Sequence, residues 1–211
     1  MTAVLPCSAV LFDCDGVLVD SDDVVTRSWT RWSRAMRLDP EAVLATVHGR
    51  RAADTVAAFV EPDGRAAALA LIDALELEDA TDVAPIPGAA ALLGSIPTAR
   101  WATVTSGSPV LARARLVAAG LPVPDVLVTS ADVVRGKPDP EGYLAAASHL
   151  GVPAGRCAVV EDSPAGIRAA RAAGARYVLR VGDRDLGDLE VTAEVADLRG
   201  LAWTGDGLEV L

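Results

Sequence analysis

Apolar positions along this chain fall into short runs bounded by polar and glycine-rich punctuation. Residues 9–12, 101–104, 126–128, 157–160 and 177–181 are such runs, with the length of buried strands. Helical stretches with matching ends lie between the later ones. Ser108 and Pro109 open one that Gly120 closes, Asp139 and Pro140 open a second that Gly151 closes, and Ser163 and Pro164 open a third that Gly174 closes. In each, a Ser or Asp oxygen can accept from free backbone N–H groups. Proline in the first turn sacrifices no hydrogen bond, and glycine tolerates the left-handed turn that ends a helix. Strands alternating with helices predict right-handed crossovers and a parallel sheet.

The stretch from Val17 to Val83 reads differently. It shows no clear strand. Val25, Trp29, Trp32 and Met36 follow a helical period, Asp22 and Asp23 suit a first helical turn, and residues 65–77 form a second Ala- and Leu-rich helical stretch. Residues 17–83 therefore read as a helical insertion into an α/β domain made of residues 1–16 and 84–211. The sheet resumes near Pro85 to Gly88, and residues 208–211 are a candidate edge strand.

Composition narrows the class. Half of the 211 residues are apolar (51%) and 23% are charged, so the chain is globular rather than disordered. Only 4% are aromatic, which leaves the core to Ala, Val and Leu. No apolar run approaches the roughly 18 to 20 residues of a membrane span, and residues 1–9 lack the features of a secretory signal. Cys7, Cys14 and Cys157 share no metal-type spacing, which suits a reduced cytoplasm. A net charge of −10 argues against nucleic acid or an anionic membrane as the main partner. The two histidines, His48 and His149, stand beside no candidate nucleophile, which disfavours Ser-His or Cys-His catalysis. Of 19 basic residues only Lys137 is a lysine. Drift in an arginine-biased chain and a functional need for an ammonium both account for that.

The candidate chemistry sits at strand ends. The first strand runs into Asp13, Cys14, Asp15 and Gly16. Two acids two residues apart point the same way, so they form either a solvated turn or a crevice that needs a cation. Thr105 to Ser108 follow the second run and read as an N-cap or an anion site. Glu161, Asp162 and Ser163 end the fourth, and Gly136 to Pro140 carry the lysine. Ligands of open α/β sheets bind outside the carboxyl ends of the strands, where all four clusters fall. Carboxylates suited to a hard dication, a lysine, hydroxyls and helix N-termini together describe a phosphate site with magnesium.

These motifs, D-x-D-G at 13–16, T-S-G-S at 105–108, G-K-P-D-P at 136–140 and E-D-S-P-A-G-I at 161–167, recur in order over nearly the whole chain. In them the sequence resembles the haloacid dehalogenase superfamily of phosphohydrolases. The resemblance is to its helical-cap branch, with sugar and polyol phosphatases, phosphoglycolate phosphatases and beta-phosphoglucomutases. It implies a Rossmann-like parallel-sheet core with an inserted cap. It implies Asp13 as nucleophile and Asp15 as general acid/base. Lys137 would neutralise charge, and Ser106 and Gly107 would bind phosphoryl oxygens. Mg2+ would be held by Asp13, the Asp15 carbonyl and Asp162, with Glu161 close to it or bound.

Departures separate the relatives. Asp15 is absent from the dehalogenases of the superfamily, the cap lacks the lysine of phosphonate-cleaving members, and residues 17–47 lack the histidine of mutases. The segment from Val47 to Arg51 resembles the H-G-R/K stretch of sugar and polyol phosphatases, with Arg50 as a substrate contact or, alternatively, part of an ordinary surface loop. Trp29 and Trp32 are expected in the cap core, Cys14 as a buried filler and His149 as structural. The expected activity is a cytoplasmic, Mg2+-dependent phosphatase of small phosphorylated metabolites, monomeric or a small homo-oligomer. Sugar or polyol phosphates are the expected substrates. A hexose phosphate mutase, a phosphoglycolate phosphatase and a non-enzymatic binding module are the alternatives.

Overall fold

A strand that is apolar at every position needs cover on both faces, because its side chains alternate. The computed structural model, which describes residues 3–211, supplies that cover as helices on each side of one sheet. The chain begins with β1 (Ala3–Pro6), β2 (Ala9–Phe12) and β3 (Val19–Asp20). Four helices follow: α1 (Asp22–Ala35), α2 (Pro40–Val47), α3 (Ala52–Phe59) and α4 (Arg65–Glu78). Then come β4 (Ala84–Pro85), α5 (Ala89–Ser95), β5 (Trp101–Val104), α6 (Pro109–Ala118), β6 (Leu127–Val128), α7 (Glu141–His149), β7 (Cys157–Glu161) and α8 (Pro164–Ala172). The chain finishes with β8 (Tyr177–Val181), β9 (Ala193–Val195), β10 (Leu201–Trp203) and β11 (Gly207–Val210). Met1 and Thr2, counted above with the α/β domain, lie outside the described residues.

The main sheet has the order β6-β5-β2-β7-β8-β9, with every neighbouring pair parallel. Val10 and Phe12 of β2 pack on one face in a core shared with α5 and α6. Ala9 and Leu11 pack on the other with α7 and α8. The result is a three-layer α/β/α arrangement. Helices α1 to α4 bury a separate apolar cluster of Trp29, Trp32, Val43, Val47, Val56, Ala68 and Ile72. Trp29 and Trp32 meet edge to face at 5.2 Å, and the Trp32 indole N–H donates to the Ala68 carbonyl. Among the described residues no helix is long and apolar enough to cross a membrane.

Three elements depart from the sequence reading. The inserted segment does contain a strand: β3 pairs antiparallel with β4, so the chain leaves and re-enters the α/β layer through one two-residue ladder. A pair that short has no periodicity to read. The C-terminal strand β11 does not extend the main sheet. It pairs antiparallel with β1 and β10 in a separate three-stranded sheet. Finally, α7 starts at Glu141 rather than at Pro140, with the Asp139 carboxylate accepting from the Glu141 N–H.

A candidate active site at the carboxyl edge of the sheet

The strand order places β2 between β5 and β7, so the loops that leave these three strands converge. After β2 the backbone turns at once: the N–H groups of Leu18 and Val19 both reach the Cys14 carbonyl. Gly16 has φ +80°, and a Cβ there would run into the Asp162 carboxylate, so this close approach of the first and last acidic loops requires glycine. Cys14 turns into the core, fully buried. Helices α6 and α8 start beside the same point. Ser108 Oγ accepts from the Leu111 N–H and Ser163 Oγ from the Gly166 N–H.

Lys137 lies at the centre, buried. Its Nζ donates to Asp13 Oδ1 at 2.6 Å, to Glu161 Oε1 at 2.7 Å and to the Val104 carbonyl at 3.1 Å. Glu161 is fully committed. Oε1 also accepts from the Tyr143 hydroxyl, and Oε2 accepts from the Asp162 and Ser163 N–H groups and the Ser163 hydroxyl. Asp15 Oδ1 accepts from Ser21 Oγ and from Arg115 Nη1, both at 2.8 Å. Asp162 Oδ2 accepts from Arg184 Nε at 3.2 Å, and Arg184 Nη2 also binds Asp22 at the start of α1.

Two of the three buried carboxylates, Asp13 and Glu161, therefore share one ammonium, and the third, Asp162, pairs with Arg184. Burial pushes Asp13 up to about 7, and the anionic Glu161 adds to that against the pull of Lys137. Burial also raises Asp162 strongly, with Glu161 and Asp13 adding to it. Burial opposes ionisation of Glu161 as well, but Lys137 and its hydrogen-bond donors hold it below the ordinary value. Burial works against the Lys137 ammonium too, and the two carboxylates outweigh it, so its pKa is raised. One oxygen from each of Asp13, Glu161 and Asp162 lies within 4.8 Å of the others, an arrangement able to hold a metal ion. Negative charge in excess of its cations, on oxygen ligands at short range, fits a hard dication.

A cleft of about 200 Å³ opens over Asp13, Asp15 and Asp162. Its floor is Thr105 to Ser108, and its far wall comes from the inserted helices, with Val25, Trp29, Leu69, Asp73 and Glu76. The loop from His48 to Arg51 closes one side. Gly49 has φ +72° and sits against the Ser163 side chain, while its carbonyl accepts from Ser106 Oγ at 2.9 Å. Arg50 lines the cleft and is exposed; Arg51 binds Asp54 and the carbonyls of Val133 and Val134.

The structure brings Asp13, Asp15, Lys137, Glu161 and Asp162 together as the sequence motifs imply, with Ser106 and Gly107 alongside. Ser106 Oγ donates to the Gly49 carbonyl and so ties the floor to the inserted unit, and the Gly107 N–H donates to Thr105 Oγ1 at 3.0 Å. His149 is exposed in the last turn of α7 and does not line the cleft. Trp29, expected in the cap core rather than as a sugar-stacking platform, packs in that core and also forms part of the wall. Sequence reasoning missed Arg115, Tyr143, Glu76 and Arg184. Arg115 and Glu76 do leave a trace, since each occupies a position on the buried face of its helix, beside Leu111 and Leu116 in one case and Ile72 and Leu75 in the other.

Comparison with known proteins agrees with this fold. A family model for haloacid dehalogenase-like hydrolases matches residues 7–174. The chain is 45% identical over 177 residues to hexitol phosphatase A of Escherichia coli (strain K12), covering 82% of each. It is 38% identical over 207 residues to validoxylamine A 7'-phosphate phosphatase of Streptomyces hygroscopicus subsp. limoneus, covering 92% of this chain and 95% of that one. Among solved structures, a hydrolase from Pseudomonas syringae superposes with a TM-score of 0.79 at 26% identity, over 90% of this chain and 93% of that one.

Proposed function

The chain belongs to the haloacid dehalogenase-like hydrolases, and from that membership we propose that it is a metal-dependent phosphatase of small phosphorylated metabolites, with sugar or polyol phosphates as substrates. The observation that carries the reading is the Lys137 ammonium held between Asp13 and Glu161 beneath a cleft that Asp13 and Asp15 both line. Relatives named for hexitol, glycerol-1-phosphate and 2-deoxyglucose-6-phosphate support the substrate class. Residues 17–83 act as the cap, and residues 1–16 with 84–211 act as the catalytic core.

In this mechanism an Asp13 carboxylate oxygen attacks phosphorus and forms an aspartyl-phosphate, which splits one difficult displacement into two. Lys137 lowers the repulsion between the anionic nucleophile and the anionic phosphate. Glu161 and Tyr143 fix the lysine where that charge is needed. Asp15 gives a proton to the departing alkoxide and then takes one from the attacking water. Ser21 and Arg115 hold its carboxylate in place for both steps. Thr105, Ser106 and Gly107 form the floor on which the phosphoryl oxygens rest. Asp13, Asp162 and the Asp15 carbonyl would hold Mg2+, while Glu161, already saturated with hydrogen bonds, orients the lysine. The bound dication supplies charge neutralisation at the transferring phosphoryl group. Arg50, on the cap loop, contacts the substrate.

Phosphate release from a panel of hexitol, aldose and glycerol phosphates, with and without Mg2+, tests the proposal. Mg2+-dependent release, fastest for one of these, is the expected result. Release from none of them, with or without the metal, overturns it.

A further inference from the structure

Asp13 and Thr105 to Gly107 serve the phosphoryl end of the cleft; its other end, where the leaving group would lie, is under the inserted helices. Leu69, Asp73 and Glu76 lie on one face of α4 and line that end together with Trp29. Arg115 reaches it from the core helix α6. The residue is 2% exposed, and its Nη2 stands 3.6 Å from Glu76 Oε1. Although Nη1 is bound to Asp15, Nη2 and Nε are buried without a hydrogen-bond partner. Burial alone raises the Asp73 carboxyl, with no cation offsetting it. Burial, only partly offset by Arg115, pushes Glu76 up to about 7. The other cations near the cleft are engaged elsewhere or stand at its rim: Lys137 serves Asp13 and Glu161, Arg51 serves Asp54, Arg184 serves Asp162 and Asp22, and Arg50 is exposed.

We propose that Asp73, Glu76 and Arg115 form the leaving-group subsite and select an uncharged polyhydroxy leaving group against one that carries a carboxylate or a second phosphate. The inference rests on the phosphatase reading. A hydroxyl is both donor and acceptor, and this subsite offers both complements: carboxylate oxygens to accept its hydrogen bond, and guanidinium N–H groups to donate to its lone pairs. An anionic leaving group meets two carboxylates in a partly desolvated space, where like charges repel strongly, and the one cation there is already divided between Asp15 and Glu76. Specificity of this kind comes from repulsion of the wrong ligand as much as from attraction of the right one.

Matched pairs of substrates that differ only in a terminal charge test this directly. Sorbitol 6-phosphate against 6-phosphogluconate, and glycerol 3-phosphate against 3-phosphoglycerate, are assayed at a pH of about 8, where Glu76 is ionised. The wild type is expected to favour the uncharged member of each pair in kcat/KM. Glu76→Gln, isosteric but neutral, should narrow the ratio in at least one pair by roughly 10-fold, the scale of one lost charge repulsion in a partly screened site. Asp73→Asn, at a more exposed position, gives the same reading should Glu76→Gln fold poorly, with folding followed by circular dichroism. Wild-type preference for the charged members overturns the inference, as do ratios unchanged in both variants. Failure to release phosphate from any monoester, an aryl phosphate included, overturns the phosphatase reading beneath it instead.

Discussion

Lys137 is held by two carboxylates and a carbonyl beneath the cleft, beside the Tyr143 ring. Removing it would leave Asp13 and Glu161 as unpaired buried anions, a change that typically costs about 3 to 5 kcal/mol. Loss of activity on substitution would therefore mix chemistry with unfolding, and labelling of the native chain is the cleaner probe. Because Lys137 is the only lysine, is buried, and has its pKa raised by its carboxylate partners, an amine-directed reagent should leave it unmodified in the folded protein and modify it in urea. Peptide mass spectrometry reads this, and rapid labelling of the native chain would contradict the burial. Glu76 makes a second prediction at this scale. Its folded-state pKa of about 7 lies above the ordinary 4.5, so between those values the folded chain binds more protons than the unfolded one. Stability is then lost as pH rises through that window and is level above it. Glu76→Gln removes this titration, so the variant should gain on the wild type as pH rises from about 4.5 to about 7, by up to about 3 kcal/mol. Thermal melts of both proteins across that range check it; parallel curves would contradict it.

At the scale of elements, the loop between α2 and α3 joins the cap to the core. Gly49 occupies a left-handed conformation, presses on Ser163 and accepts from Ser106. Gly49→Ala would strain that backbone by about 1 kcal/mol, which is roughly 2 to 4 °C in Tm for a chain of this size, and its Cβ would displace the loop from α8. A modest fall in Tm with a fall of at least roughly 10-fold in kcat/KM is expected, because small misplacements at a closing loop carry large kinetic costs. Calorimetry beside steady-state kinetics checks it, and unchanged kcat/KM would show that the loop does not govern closure. The elements also show what a sequence can carry. Strands β2, β5 and β8 coincide with their apolar runs because they are covered on both faces, and α6 and α8 start at their Ser-Pro pairs because both serines cap. The small sheet was not legible, because β1 and β11 pair residues from opposite ends of the chain and no local pattern encodes that partner. Tyr143 and Arg184 were not legible either: an aromatic on a buried helix face and a loop arginine become site residues only through tertiary contact.

For the whole molecule, parallel topology gathers Asp13, Thr105 and Asp162, far apart in sequence, at adjacent strand ends, and the β3–β4 ladder returns the inserted helices over them. On the proposed reading the core supplies the acids and the lysine, and the inserted helices close over the leaving group and exclude water, which would strengthen every charge interaction inside. Motifs confined to strand ends were legible because each keeps its local sequence, whereas the contacts of Arg115 with Asp15 and Glu76 exist only once cap and core meet. The central claim is that Asp13 becomes phosphorylated. Asp15→Asn should slow hydrolysis of the intermediate, while an aryl phosphate, whose leaving group needs little protonation, still forms it, so that rapid acid quench after mixing with that substrate and Mg2+ traps it. The account predicts the added mass of one phosphoryl group on the peptide containing Asp13, and none when Asp13→Asn is combined with Asp15→Asn. Phosphate released by a competent enzyme with no phosphorylated Asp13 peptide at any quench time would contradict it.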